Sequence, residues 1–199
     1  MGFVIGASFI GADLKAGMVE HLLTWEPRRL RLIASRLVAG AVTLFVLTVL
    51  LCIFLIVMLY LLCAISGTTD GITGDLWGDI AAAVFRAGLS GAIFFMMGIG
   101  VTILVNNSLG SIVGFVIYWF IIEGFLLEAF LPAVVKWLPV KNASAFADGV
   151  RVQTAEGFFS GEPSFNEHHN YLIAGLILLA WGLGATVIGT LVFQRRDVA

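Results

Sequence analysis

The stretch LVAGAVTLFVLTVLLCIFLIVMLYLLCAI, residues 37–65, contains no charged side chain. As an α-helix it would be about 43 Å long, at 1.5 Å per residue. That length exceeds the roughly 30 Å hydrocarbon core of a bilayer, so the helix would cross at a tilt or begin among the headgroups. This stretch by itself predicts a membrane-spanning helix.

Three further apolar runs follow along the chain. They are 81–105, interrupted only by Arg86; 109–131, with Glu123 and Glu128 near its end; and 171–193, which carries no charge. The 199 residues are 60% hydrophobic and 12% charged, with a mean hydropathy of +1.03, whereas soluble domains are about 45–50% apolar and about 25% charged. The expected fold is all-α and polytopic, with four full transmembrane helices in a single membrane domain, 1–199.

The amino-terminal segment, 1–12, is apolar and rich in small residues, but it is short for a span. Residues 2–12 would reach only about 17 Å as a helix, and the segment lacks the basic start of a signal peptide. We predict a partial span, the inner part of a helix that begins upstream of Met1. A short helix lying in the membrane interface is the alternative.

Basic residues are concentrated in two segments. The segment 13–36 carries five and the tail 194–199 carries two, whereas the connection 66–80 has none and the long loop 132–170 has three widely spaced ones. Because basic loops stay on the cytoplasmic side, we expect 13–36 and the tail to be cytoplasmic and the other two connections to face outward. The protein is thus predicted to be a multi-pass protein of the cell membrane.

The cytoplasmic segment 13–36 has a pattern of its own. Met18, Leu22 and Trp25 recur at helical spacing, and Pro27 ends this short amphipathic helix. A basic cluster, residues 28–31, follows it. Two functions fit the pattern: a helix that lies on anionic lipid headgroups, or a helix presented to a cytoplasmic protein.

The sequence KAGMVEHLLTWEPRRLRLIASRL, residues 15–37, resembles the cytoplasmic loop of the type-2 ABC exporter permeases. In that family a G-T-L-x-x-L-L-T-x-P-x-x-R stretch precedes a membrane span. Met18 replaces the threonine of the pattern, and one extra residue precedes the proline. The positions that stand close to the pattern are Gly17, Leu22, Leu23, Thr24, Pro27 and Arg31.

Other parts of the chain extend this resemblance over nearly its whole length. The end FQRRD, residues 193–197, is similar to the closing F-x-x-R-D of the family. The turn at 106–108, the glycine-rich run after it and Leu138-Pro139 in the outer loop are similar to the bacitracin- and sodium-exporter-like branch. The resemblance also implies that the outer loop 132–170 carries short re-entrant helices. That family has six spans, so we expect the first span and part of the second to be missing from the front of this chain.

The resemblance implies a permease subunit of an ATP-binding-cassette transporter, an exporter driven by a separate ATPase subunit. It would pair with a second copy of itself or a homologous permease, within membrane lipid. The residues that the resemblance places against the ATPase are Lys15, Gly17, Glu20, Leu22, Leu23, Thr24, Pro27 and Arg28. The alternative is a non-transporting membrane anchor or assembly subunit that binds a cytoplasmic partner through the basic loop.

Two ionisable residues lie inside predicted spans, where charge is costly unless it is paired or functional. Arg86 is about five residues from the outer end of its span and Glu123 about eight from the outer end of its own, so their depths differ by only about 4–5 Å. We predict an intramembrane ion pair between them. The alternative is that Arg86 reaches the outer headgroups while Glu123 meets water in a cavity.

Small residues recur at a spacing of four in the last two spans. The pairs are Gly110 and Gly114, Ala180 and Gly184, and Ala185 and Gly189. Such pairs let helix backbones approach closely in lipid. We expect them to serve packing within the chain, and a seam between two copies is the alternative.

Catalytic and metal motifs are weak in this sequence. Ser90 lies in a G-x-S-G pattern, 88–91, like that of intramembrane serine proteases, but His21, His168 and His169 all lie outside the predicted spans, so no base is expected beside it. Neither H-E-x-x-H nor a phosphate-binding G-x-x-x-x-G-K-[ST] loop occurs. We therefore predict no enzyme activity, no catalytic residue, no metal, no cofactor and, at a net charge of −2, no nucleic-acid partner.

Overall fold

The computed structural model describes residues 1–15, 29–67, 74–126, 136–149 and 170–195, together with Phe130 and Val134. Every element in these ranges is helical, which confirms the all-α prediction for the described part of the chain. The elements are α1 (Gly2–Lys15), α2 (Arg29–Ser66), α3 (Gly74–Val105), α4 (Ser108–Ile117), a π-helix (Tyr118–Leu126) that continues α4, α5 (Pro139–Asp148) and α6 (Tyr171–Arg195).

Three helices are long and apolar enough to cross a membrane: Ile33–Ser66, Leu76–Val105 and Tyr171–Phe193. They correspond to three of the four predicted full spans. The fourth, 109–131, is described without a gap only up to Leu126, and this part consists of α4 and the π-helix. Of that run, Ser108–Gly124 is a shorter apolar helix, as is Gly2–Asp13 at the amino terminus.

Helix α3 is the centre of the bundle. In its most apolar stretch 61% of residues are buried, against 6% for α2 and 22% for α6. Helices α1 and α6 pack along it in the same direction, and α2 packs along it in the opposite direction. The helices that surround α3 leave most of their apolar side chains on the outside, as lipid-facing helices do.

Glycines allow the backbones of α1 and α3 to touch. A Cβ added to Gly98 would stand 2.2 Å from the carbonyl oxygen of Phe3, and one added to Gly6 would stand 2.2 Å from that of Phe95. Any side chain would therefore separate the two helices. Close backbone approach through small residues is the usual way to pack helices in lipid, where no hydrophobic force drives them together.

The contact between α3 and α6 is of the same kind. A Cβ on Gly189 would lie 2.6 Å from the carbonyl oxygen of Gly100, and one on Gly100 would lie 2.4 Å from that of Ala185. The predicted packing of Ala185 and Gly189 within the chain is thus confirmed. Gly114 and Gly184, from the other two predicted pairs, have nothing within 4 Å of an added Cβ in the described chain.

The charge pattern predicts that the end of α1, the start of α2 and the end of α6 are cytoplasmic, and these three helix ends lie together at one side of the bundle. Ile10 near the end of α1 and Ile33 near the start of α2 share a buried cluster, and Phe193 at the end of α6 packs against it. The turn between α3 and α4 lies at this same end, where Gly11 faces Ser108. Segment 13–36 and the carboxyl tail therefore start from the same side, as the predicted topology requires.

Candidate functional site

The predicted ATPase-contacting residues 17–28 lie outside the described residues, and Lys15 is the last residue of α1. The two ends of that segment are described, and they are joined. Arg36 of α2 forms an ion pair with Asp13 of α1, and its guanidinium group lies 5.8 Å from the ring centre of Phe9. The segment thus leaves and re-enters the bundle at adjacent points.

A second polar site lies at the amino terminus of α5, and Glu123 is its centre. This carboxylate is 1% exposed. Its Oε1 accepts a hydrogen bond of 2.7 Å from the backbone amide of Lys141. The hydroxyl of Tyr118 lies near the carboxylate, but neither it nor Oε2 of Glu123 has a hydrogen-bond partner among the described residues. Leu138, the N-cap residue, has no side chain that could cap the helix, so Glu123 does so from the π-helix.

Three further hydrogen bonds hold this end of α5. The indole Nε1 of Trp181 in α6 donates to the carbonyl oxygen of Trp137 at 2.8 Å. The fully buried Asn142 donates from Nδ2 to the carbonyl oxygens of Lys136 and Leu138 at 2.8 and 2.7 Å. The start of α5 is therefore attached to α6 and the π-helix, about 15 Å along α6 from Tyr171.

Arg86 lies at the opposite end of α5. Its guanidinium carbon is 5.4 Å from the ring centre of Tyr171, the first residue of α6. It also packs against Gly149, the C-cap of α5, where an added Cβ would meet Nη2 of Arg86 at 2.6 Å. The cation therefore stands at the carboxyl end of the helix, the end at which a positive charge is favourable.

The predicted ion pair between Arg86 and Glu123 does not form within the described part of the chain. The two side chains stand at the two ends of α5, whose ten residues span about 15 Å. The depth estimate failed because it counted residues along each predicted span and ignored the helix that folds back between them. Each charge instead complements one end of the α5 dipole.

The sequence contains a signal for both ends of α5. Pro139 stands at the first helical position and Gly149 just beyond the last, which is the usual order of proline and glycine at helix ends. A π-helix has no comparable signal in this stretch. Its i to i+5 geometry brings Tyr118 and Glu123 together, and π-helical turns often occur at functional sites.

We expect Gly149→Ala to destabilise the protein more than Gly67→Ala. Both glycines have positive φ, +71° and +77°, so both substitutions incur the left-handed penalty of about 1–2 kcal/mol. Only at Gly149 would the new methyl group also displace Arg86, since nothing lies within 4 Å at Gly67 in the described chain. Thermal unfolding in detergent measures the difference, and equal melting temperatures would contradict the Arg86 contact.

No protein-family model, curated protein or solved structure matches this chain. The described residues contain no group of three or more histidine, cysteine, aspartate or glutamate side chains able to hold a metal ion. The described residues define the class: a helical protein in which three helices are long and apolar enough to cross a membrane.

Proposed function

We propose that this chain is the membrane-spanning permease subunit of an ATP-binding-cassette transporter, an exporter driven by a separate ATPase subunit. It would act as a pair of permeases with two ATPase subunits. The resemblance of residues 15–37 to the cytoplasmic loop of type-2 exporter permeases is the starting point of the proposal. The attachment of that segment to the bundle is the structural observation that carries it.

The ends of the segment are attached in a way that suits force transmission. The Asp13–Arg36 ion pair joins α1 to α2 where the segment leaves and re-enters. Helix α1 in turn contacts α3 backbone to backbone at Gly98. A displacement of the segment by an ATPase would therefore act on α1, α2 and the central helix together, because the ion pair and the close backbone contact join them.

The orientation proposed for the bundle follows from charge. Arg36 and Arg195 lie at the end where α1 and α6 finish, and the described residues of the connection between α2 and α3 carry no basic side chain. By the positive-inside rule the first end faces the cytoplasm. Helix α5 then lies in the outer half of the protein as a re-entrant element, between the depth of Trp181 and the outer end of α6.

Capture of a partner from native membranes tests this function. The tagged protein should co-purify with an ATPase of the ATP-binding-cassette type, because residues 17–28 are proposed to contact it. We expect the double substitution Leu22→Glu, Leu23→Glu to reduce the recovered ATPase at least tenfold. Leu76→Glu, which changes an exposed leucine near the other end of the bundle, is the control and should leave recovery unchanged.

The outcomes separate the proposal from the anchor alternative. Recovery of an ATPase that hydrolyses ATP faster when the permease is bound supports a transporter. Recovery of some other cytoplasmic protein through the same two leucines would instead make the chain an anchoring subunit. Equal recovery of an ATPase by both variants would show that contact is made elsewhere and would refute the role given to the segment.

A further inference from the structure

The depth at which α5 begins follows from its attachment to α6. The apolar stretch of α6, Tyr171–Phe193, has 23 residues, and its length of about 34 Å is close to the roughly 30 Å hydrocarbon core of a bilayer. Trp181 lies about 15 Å from Tyr171 along this helix, near its middle. Because its indole donates to the carbonyl oxygen of Trp137, the residues just before α5 lie near the middle depth of the membrane.

A lysine is held at this depth near the outside of the bundle. The carbonyl oxygen of Lys136 accepts a hydrogen bond of 2.8 Å from Asn142, which fixes the residue beside the start of α5. Its half-buried side chain places Nζ 5.9 Å from the ring centre of Trp137. A cation surrounded by hydrocarbon is costly, and a lysine side chain that extends toward water covers only part of the distance to the headgroups.

Three tryptophan side chains lie at the same level. Trp119 of the π-helix, Trp137 and Trp181 are 44%, 53% and 44% exposed. Trp119 belongs to this group because Glu123, four residues after it, accepts the hydrogen bond from the amide of Lys141. Tryptophan is enriched where a membrane meets water, at the level of the headgroups. The three side chains therefore indicate headgroups at a depth where α6 alone would predict hydrocarbon.

The helix that leads to Trp119 is also short for a span. Within the described residues its apolar part is Ser108–Gly124, which is about 25 Å long, whereas Ile33–Ser66 of α2 has 34 residues and is about 51 Å long. A bilayer becomes thinner around an apolar segment that is too short for it, and a longer segment tilts or thickens it. The bundle thus presents lipid with apolar surfaces of unequal height.

Helix α2 shows what an ordinary lipid-facing surface looks like at the same level. Gly40 of α2 meets Phe95 of α3, and Gly182 of α6 meets Ile93, two residues further along α3. Residues near Gly40 are therefore level with residues near Trp181. Val42 of α2 is 57% exposed and lies in the charge-free run of that helix, so lipid chains can surround it without contacting a charge.

We infer that the bilayer is thinned beside α5, where phospholipid headgroups descend to a patch formed by Lys136, Trp119, Trp137 and Trp181. The phosphate groups would pair with Nζ of Lys136, and the indole rings would lie among the headgroups. In the orientation proposed above, these lipids belong to the outer leaflet. The inference concerns the lipid around the bundle and does not depend on the exporter function.

Charge favours headgroups over a second copy of the chain as the occupant of this patch. A two-fold pair would bring equal surfaces together, so the Lys136 side chains of the two copies would approach each other in a medium of low dielectric constant. Like charges repel strongly under those conditions. A phosphate group instead brings the opposite charge.

Two photoreactive lipids test the inference. The purified protein is placed in phosphatidylcholine nanodiscs that contain phosphatidylcholine with a diazirine either in the headgroup or at the end of an acyl chain, and labelled residues are mapped by mass spectrometry. We expect the headgroup probe to label the patch at least fivefold more than the chain-end probe. The preference should be reversed at Val42, which lies at the same level on α2.

A matched pair of variants identifies the cation that holds the headgroups. Lys136→Leu should reduce headgroup labelling of Trp181 at least threefold and increase its labelling by the chain-end probe. Arg195→Leu removes a cation from the other end of α6 and should change neither. Preferential chain-end labelling of the patch in the unaltered protein would show a bilayer of ordinary thickness, and labelling by neither probe would show that a second copy or water covers the patch. Either result would overturn the inference and leave the ATPase capture experiment unaffected.

Discussion

Gly98→Ala is expected to lower the free energy of unfolding by about 3 kcal/mol or more, one of the two largest effects we predict. The new methyl group would stand 2.2 Å from the carbonyl oxygen of Phe3 and 3.0 Å from the amide nitrogen of Ala7. Overpacking usually costs about 1–3 kcal/mol, and here the obstacle is backbone that no rotamer change can move. Helices α1 and α3 would have to separate.

Gly184→Ala in α6 is the matched control for this substitution. Both glycines lie inside helices, so both variants gain the same helix propensity of up to about 1 kcal/mol. Gly184 has no described atom within 4 Å of an added Cβ, so its variant should be neutral or slightly more stable. Thermal unfolding followed by size-exclusion chromatography in detergent compares them, and similar midpoints would refute the backbone contact between α1 and α3.

Glu123→Ala is the second substitution with a large expected effect. It would leave the amide of Lys141 at the start of α5 without its buried acceptor. Hydrogen bonds to charged groups contribute about 1.5–3 kcal/mol, and an unsatisfied buried donor costs the full desolvation penalty. We therefore expect a loss of about 3 kcal/mol, together with faster hydrogen exchange over residues 140–142.

The conservative variant distinguishes capping from simple packing. Glu123→Gln keeps an oxygen acceptor of the same reach but loses the charge that favours a helix amino terminus. It should retain slow exchange at Lys141 and lose only about 1 kcal/mol. If Gln and Ala variants exchange equally fast, the carboxylate fills space at this site and does not cap α5.

Much of this architecture was accessible from the pattern of apolar residues. The runs at 37–65, 81–105 and 171–193 each predicted a helix that the structure contains, because a segment in lipid must satisfy its own backbone hydrogen bonds and only a helix does so within one chain segment. The charge pattern also predicted correctly that the ends flanking 13–36 and the tail share one end of the bundle. These properties depend on local composition and length.

The contacts of the polar residues around α5 could not be predicted from any single segment of the sequence. Arg86 and Glu123 were recognised as costly charges inside spans, but their partners were predicted incorrectly. Their true neighbours are the two ends of α5, a short helix that ends about fifty residues before the end of the chain and folds back between other helices. Pro139 and Gly149 mark its bounds in the sequence, yet nothing in them indicates where in the bundle it lies.

The presence of three long apolar helices, which contain the runs 37–65, 81–105 and 171–193, thus follows from local composition, because lipid stabilises a helix in any apolar run of sufficient length. The contacts between them are decided in three dimensions. A Cβ added to Gly98 would collide with Phe3, whereas one added to Gly184 would meet no described atom within 4 Å, and Glu123 caps a helix rather than pairing with Arg86. Steric fit and hydrogen-bond geometry act between residues distant in sequence, so the assembled bundle alone determines which side chains meet.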